Sequence, residues 1–167
     1  KTNLLVEWTT TTTCSTAWLS LNREDNDLVR FFRYLISALQ VVKPGLGEEP
    51  LDFIQSTKGS GLEMGLTLLV NEIAALSEEI NLVIDEFQLI EAADTYQGFR
   101  FLLEHLPQNL HLVIASRSEP DLDLALQRAK GRVVELGADE LRFSSEEVAL
   151  FFKQTMGLQL PAETVLA

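Results

Sequence analysis

Cysteine is almost missing from the 167-residue sequence. Cys14 stands alone, so no internal disulfide can form and a disulfide-stapled scaffold is excluded. A lone thiol suits a reducing compartment, which makes cytoplasm the expected location; Cys14 itself sits in a Thr-rich stretch with no basic neighbour in sequence to activate it as a nucleophile. Basic residues are also scarce, 13 Lys plus Arg against 25 Asp plus Glu, for a formal net charge of −12. That balance opposes attraction to phosphate backbones, so this segment is not expected to bind DNA. No apolar run approaches the ~20 residues of a membrane-spanning helix, and the first residues lack the basic stretch, apolar run and cleavage site of a signal peptide. The histidines number two; His105 and His111 flank a Pro-containing turn, no further His or Cys completes a metal set, and both are expected at the surface.

Hydrophobic residues make up 46% of the chain, enough at this length for one globular domain with a core of its own. Short apolar runs at 16–21, 81–85, 110–115 and 132–136 have the length of buried strands. Between them, apolar residues recur at helical spacing over 27–42, 62–77, 95–106, 121–130 and 144–156. The first of these follows an Asp25-Asn26-Asp27 run suited to capping, and the last opens on Ser144 and Glu147 as a capping box. Residues 43–61, with their glycines and prolines, predict a long connection with room for one turn of helix. The β-branched Thr9–Thr13 run predicts that a first helix frays there. Strand and helix alternate throughout, which predicts an α/β fold with a parallel sheet covered by helices. Both termini read as interior to a longer protein.

Three short pieces carry the candidate chemistry. Lys1-Thr2 opens a helix, and a phosphate-binding loop ends in that pair: Lys reaches the β- and γ-phosphates and Thr holds Mg²⁺. Alone, the pair reads equally as two solvated residues. The strand in LVIDEF delivers Asp85 and Glu86 to the carboxyl edge of the sheet, where one carboxylate could hold Mg²⁺ and the other orient or deprotonate water; the alternative is an acidic turn. The strand LHLVIA ends in Ser116-Arg117-Ser118. Arg117 could sense a γ-phosphate there, or pair with Glu119 or Asp121. The combination, in a parallel α/β order, is far more specific than any part.

With KTNLLVEW, TAWLSLNREDNDLVRFFRYLISALQ, LVIDEFQLI, FLLEHLPQNLHLVIASRSEPDLDLALQRAKG and ADELRFSSEEVALFF in place, nearly the whole chain resembles the MalT-like signal-transducing ATPases (STAND class) of large LuxR-type transcriptional regulators. The resemblance implies a three-layer P-loop NTPase core over residues 1–157, entered partway through its phosphate loop so that the first strand and the loop's glycines are missing and this chain alone is expected to be inactive, with 158–167 starting a helical region. It implies ATP and Mg²⁺ as cofactors. Lys1 and Thr2 would close Walker A, Asp85 and Glu86 form Walker B, and Arg117 take the sensor position, so that Thr2 and Asp85 hold Mg²⁺ while Glu86 and Arg117 act in hydrolysis. It further implies slow turnover, a switch in self-association, and DNA binding through a separate C-terminal helix-turn-helix. Relatives often carry Asp-Asp where this chain has Asp85-Glu86. The rival is an interaction or autoinhibitory platform of the same fold with a degenerate nucleotide site.

Other residues are read as structural. Trp8 and Trp18 are expected to pack in the core rather than stack on adenine, and Asp25 and Asp27 to cap a helix rather than reach Mg²⁺.

Overall fold

The computed structural model describes residues 1–56, 61–144, 147 and 150, in two compact units, Lys1–Asp123 and Leu124–Ala167. The larger unit is built on a three-stranded parallel sheet in the order β1 (Ser15–Ser20), β2 (Ile80–Asp85), β3 (Leu110–Ile114). Register is continuous, Ser20 opposite Asp85 and Ile84 opposite Ile114, so the three carboxyl ends lie side by side. All six residues of β2 are buried, as a central parallel strand covered on both faces must be.

Parallel neighbours need crossovers. Helices α2 (Leu28–Val42), α3 (Glu48–Ser56) and α4 (Leu62–Ala74) connect β1 to β2, and α5 (Ala93–Glu104) connects β2 to β3. Right-handed crossovers in this strand order place these helices on one face of the sheet. There Phe31, Phe32 and Phe99 from α2 and α5 join Phe87, which follows β2; all four are fully buried, with Phe31 and Phe99 edge to face at 5.8 Å. The helical spacing read in α2 holds: Phe31, Phe32, Leu35, Ile36 and Leu39 all face this core. Helix α1 (Thr2–Thr11) covers the opposite face, since Thr2 meets Asp85 at one end of β2 and Thr12, just past the helix, meets Asn81 at the other. Three layers result, the α/β P-loop NTPase-like architecture that the sequence predicts.

Several expectations need correction. The 43–61 connection holds more than one turn: α3 runs nine residues, with Glu48 and Glu49 in its first turn where the helix dipole favours acid. Gly45 and Gly47, both at positive φ, make the turn that leads into it. Thr9, Thr10 and Thr11 stay helical, each hydroxyl donating back to the carbonyl three residues earlier, and the helix ends at Thr11. Trp8 is no core residue, being 37% exposed on α1, and Trp18 is half-buried with its indole N–H on Ser20 Oγ. The helix expected over 121–130 shrinks to α6 (Ala125–Ala129), because Leu122 turns back on Pro120 and Asp123 adopts φ 49, outside the helical range. Residues 132–136 form no strand; Val134 and Leu136 are 89% and 62% exposed, and an apolar run without a covering layer gains nothing by extending into a sheet. The Ser144–Glu147 capping box is present in both directions, Ser144 N–H to the Glu147 carboxyl at 2.8 Å and Glu147 N–H to Ser144 Oγ at 3.2 Å, and the Ser144 backbone N–H, with its hydroxyl second, holds that carboxyl below its usual range. The rest of that expected helix, and the expected boundary at 157/158, lie outside the described residues.

Candidate functional site

The carboxyl edge of the sheet gathers all five residues singled out from the sequence. The ladder runs on past the strand ends: Leu21 N–H donates to Asp85 O, Ala115 N–H to Ile84 O and Phe87 N–H to Ala115 O, which fixes Asp85 and Ser116 on neighbouring chains. Helix α1 starts at this edge. Its Thr2 hydroxyl donates to Asp85 Oδ2 at 2.7 Å, and the Lys1 ammonium donates to the Ser116 carbonyl at 2.7 Å. Lys1 and Thr2 thus sit over the ends of β2 and β3, although more than eighty positions separate them from those strands in sequence.

Asp85 is 5% exposed, and its carboxylate is fully engaged: Oδ2 accepts from Thr2 and Oδ1 from the Glu86 N–H at 2.9 Å. Glu86 then turns the chain, at φ 60 and ψ 35, a left-handed conformation that residues other than glycine adopt at a cost of about 1–2 kcal/mol. Its side chain, one-third exposed, faces Arg117, whose Nη2 lies 3.3 Å from Oε1. Arg117 therefore takes Glu86 as its partner across the sheet edge. Asp121, one of the neighbours weighed from the sequence, is held instead by Arg100 at 3.0 Å.

Asp25 and Asp27 act as caps. Asp27 accepts the Arg30 N–H at the start of α2, and Asp25 accepts the Asn22 N–H in a capping box before it. Asp25 is buried against the Arg30 guanidinium at 2.9 Å, a hydrogen bond that raises the arginine further above its ordinary value and leaves this carboxylate committed. His105 and His111 are exposed as expected; His111 lies 3.5 Å from Glu79. Cys14 approaches the same carboxylate at 3.6 Å.

Two roles escaped the sequence reading, which passed over Gln88 and took Asn26 only as part of a capping run. Gln88 sits between Glu86 and Arg117, its amide donating to Glu86 Oε2 and accepting the Arg117 N–H at 2.9 Å. Asn26 clamps the segment that follows: its Nδ2 donates to Leu89 O at 2.7 Å, and its Oδ1 accepts from Glu91 N at 2.6 Å and Ala92 N at 3.0 Å. Neither could be found from periodicity, because both act through turns whose geometry the residue types do not specify.

Chemically, this edge offers the start of a ten-residue helix with an ammonium beside it, a setting that favours anions. It also offers two hard oxygens, Thr2 Oγ1 and Asp85 Oδ2, 2.7 Å apart. A hydroxyl and a carboxylate are the kind of oxygen donors that Mg²⁺ takes, so the pair would suit such an ion in its chemistry. Among the described residues no three His, Cys, Asp or Glu side chains gather as a metal set.

No family model matches the chain. Against curated proteins it is 33% identical over 153 residues to the HTH-type transcriptional regulator MalT of Yersinia pestis (strain Pestoides F), covering 92% of this chain and 17% of that protein. The MalT regulator of Yersinia pseudotuberculosis serotype O:1b matches to the same extent, and that of Yersinia enterocolitica serotype O:8 is 31% identical over 160 residues, covering 96% of this chain and 18% of its own length. The chain therefore spans about a sixth of the length of the relatives it matches.

Proposed function

The chain is a MalT-like domain, and we propose that it is the ATP-binding, slowly hydrolysing switch of a signal-responsive transcriptional regulator of the STAND class among LuxR-type proteins. The observation that carries this reading is the meeting of Thr2 with Asp85 at the sheet edge, with Lys1 beside them. A lysine, a hydroxyl and a carboxylate from the start of α1 and the end of β2 come together there, side chains of the kind a phosphate-loop site uses toward phosphates and magnesium, and this supports the reading.

In this reading the Lys1 ammonium exchanges the Ser116 carbonyl for the β- and γ-phosphate oxygens. Thr2 and Asp85 hold Mg²⁺, which when bound neutralises charge on the phosphates. Glu86 orients the attacking water and takes its proton, and Arg117 leaves Glu86 to meet the γ-phosphate. The slow rate and the switch in self-association follow from the resemblance to the family. In the complete cytoplasmic protein, ATP and ADP are the ligands, further copies of the protein the partners, and DNA is reached through a separate helix-turn-helix. No helix among the described residues is long and apolar enough to cross a membrane.

The test is ATP turnover by the full-length protein carrying Glu86→Gln or Arg117→Ala. Each is expected to lower turnover by about 100-fold or more, the scale of a lost general base or charge-stabilising group. Unchanged turnover in both would contradict the assignment. Mg·ATP binding absent from the folded wild type would favour the platform with a degenerate nucleotide site.

A further inference from the structure

Both oxygens of the Glu86 carboxylate are occupied: Oε1 accepts from Arg117 Nη2 and Oε2 from the Gln88 amide. Gln88 uses its remaining polar atom, Oε1, to accept the Arg117 backbone N–H at 2.9 Å. Complementarity fixes the amide's orientation, because only its NH₂ can serve a carboxylate and only its oxygen can serve an N–H. One planar group therefore ties the carboxylate at the end of β2 to the main chain at the end of β3. The tie sits at the turn where Glu86 takes a left-handed conformation. Gln88 itself is anchored: it lies in a 3₁₀ turn, Phe87–Leu89, whose Phe87 is fully buried and whose Leu89 carbonyl is held by Asn26.

We propose that Gln88 is a positioning residue that aims the Glu86 carboxylate and couples its availability to Arg117. The inference rests on the nucleotide reading of this site. While Arg117 stays on Oε1, the guanidinium takes one of that oxygen's two acceptor directions and competes with water for it. When Arg117 swings to an anionic phosphoryl group, Oε1 is released, while Gln88 keeps Oε2 fixed and so keeps the freed oxygen facing the space that the guanidinium left. Glu86 is thereby freed for water as Arg117 finds its anion. The guanidinium can move without breaking the tie, because the Gln88 contact is to the Arg117 backbone and the side chain is 77% exposed.

Two substitutions separate positioning from simple loop ordering. Gln88→Ala removes both contacts, whereas Gln88→Glu keeps an acceptor for the Arg117 N–H and sets a second carboxylate against Glu86. In the full-length protein both variants are expected to lose about 10- to 100-fold in ATP turnover, the scale of a misaimed catalytic group, while Mg·ATP affinity by calorimetry stays within about twofold. Hydrogen exchange of the peptide spanning Ser116–Ser118 is expected to quicken in Gln88→Ala and to match wild type in Gln88→Glu. Wild-type turnover in Gln88→Glu would overturn the proposal, as would wild-type turnover in Gln88→Ala whatever its exchange. A wild type that binds no Mg·ATP would sink the nucleotide reading and this inference together. Failure of the inference alone appears as normal turnover by Gln88 variants of a wild type that binds and hydrolyses.

Discussion

The Thr2 hydroxyl and the Asp85 carboxylate meet at 2.7 Å across 83 positions of sequence, and the carboxylate is nearly closed off from solvent. A buried carboxylate oxygen that loses its donor bears the full cost of desolvation. Thr2→Val, which keeps the shape and removes the hydroxyl, is therefore expected to destabilise the protein by about 1–3 kcal/mol in urea or guanidinium unfolding. A loss below the error of the extrapolation would show that this contact does not hold α1 to the sheet.

Packing of α3 on α4 gives a second prediction. A Cβ placed on Gly65 would lie 2.9 Å from the Pro50 carbonyl oxygen and 2.7 Å from Ile54 Cγ1, and Ile54 is fully buried. The backbone carbonyl cannot step aside as a side chain could, so Gly65→Ala should force the two helices apart. That offsets the gain in helix propensity from alanine and leaves a net loss of about 1–3 kcal/mol. Thermal unfolding of the variant checks it; a rise in Tm would mean that the helices do not approach this closely.

Tyr96 supplies the pH prediction. Burial pushes its phenol above the ordinary value of 10.0, with the nearby Asp121 charge adding to the shift, and its ring packs edge-on to Phe87 at 5.7 Å. The folded state thus holds the phenolic proton more tightly than the unfolded chain. The resulting stability is present in full below pH 10 and is lost as pH rises through the folded value. As pH rises above 10.0 the wild type should lose more unfolding free energy than Tyr96→Phe, which has no proton to give up. Equal losses in the two proteins would remove Tyr96 from the alkaline limb.

Much of the larger unit was legible because its signals are local and strong. The spacing of Phe31, Phe32, Leu35, Ile36 and Leu39 marks one helix face, and LVID is long and apolar enough to be read as a buried strand. The carboxyl-edge rule then placed Asp85, Glu86 and Arg117 together before any geometry was known. What stayed hidden depends on neighbours that the residue types do not name. Whether 132–136 extends into a strand turns on whether a sheet covers Val134 and Leu136, and both are exposed. Trp8 lies on an apolar stripe of α1 that the fold leaves uncovered in the described residues. Gln88 was invisible as a site residue because its role depends on the left-handed turn at Glu86, which no propensity foretells for glutamate.

The most direct test of the central claim is a calorimetric titration of Mg·ATP into the full-length protein, beside an otherwise identical Asp85→Asn variant shown to be folded. The account predicts that the wild type binds in a magnesium-dependent way and that the variant binds at least about tenfold more weakly, since a neutral amide is a poorer ligand for the cation than a carboxylate. A folded wild type that takes up no Mg·ATP, or a variant that binds as tightly as wild type, would contradict it.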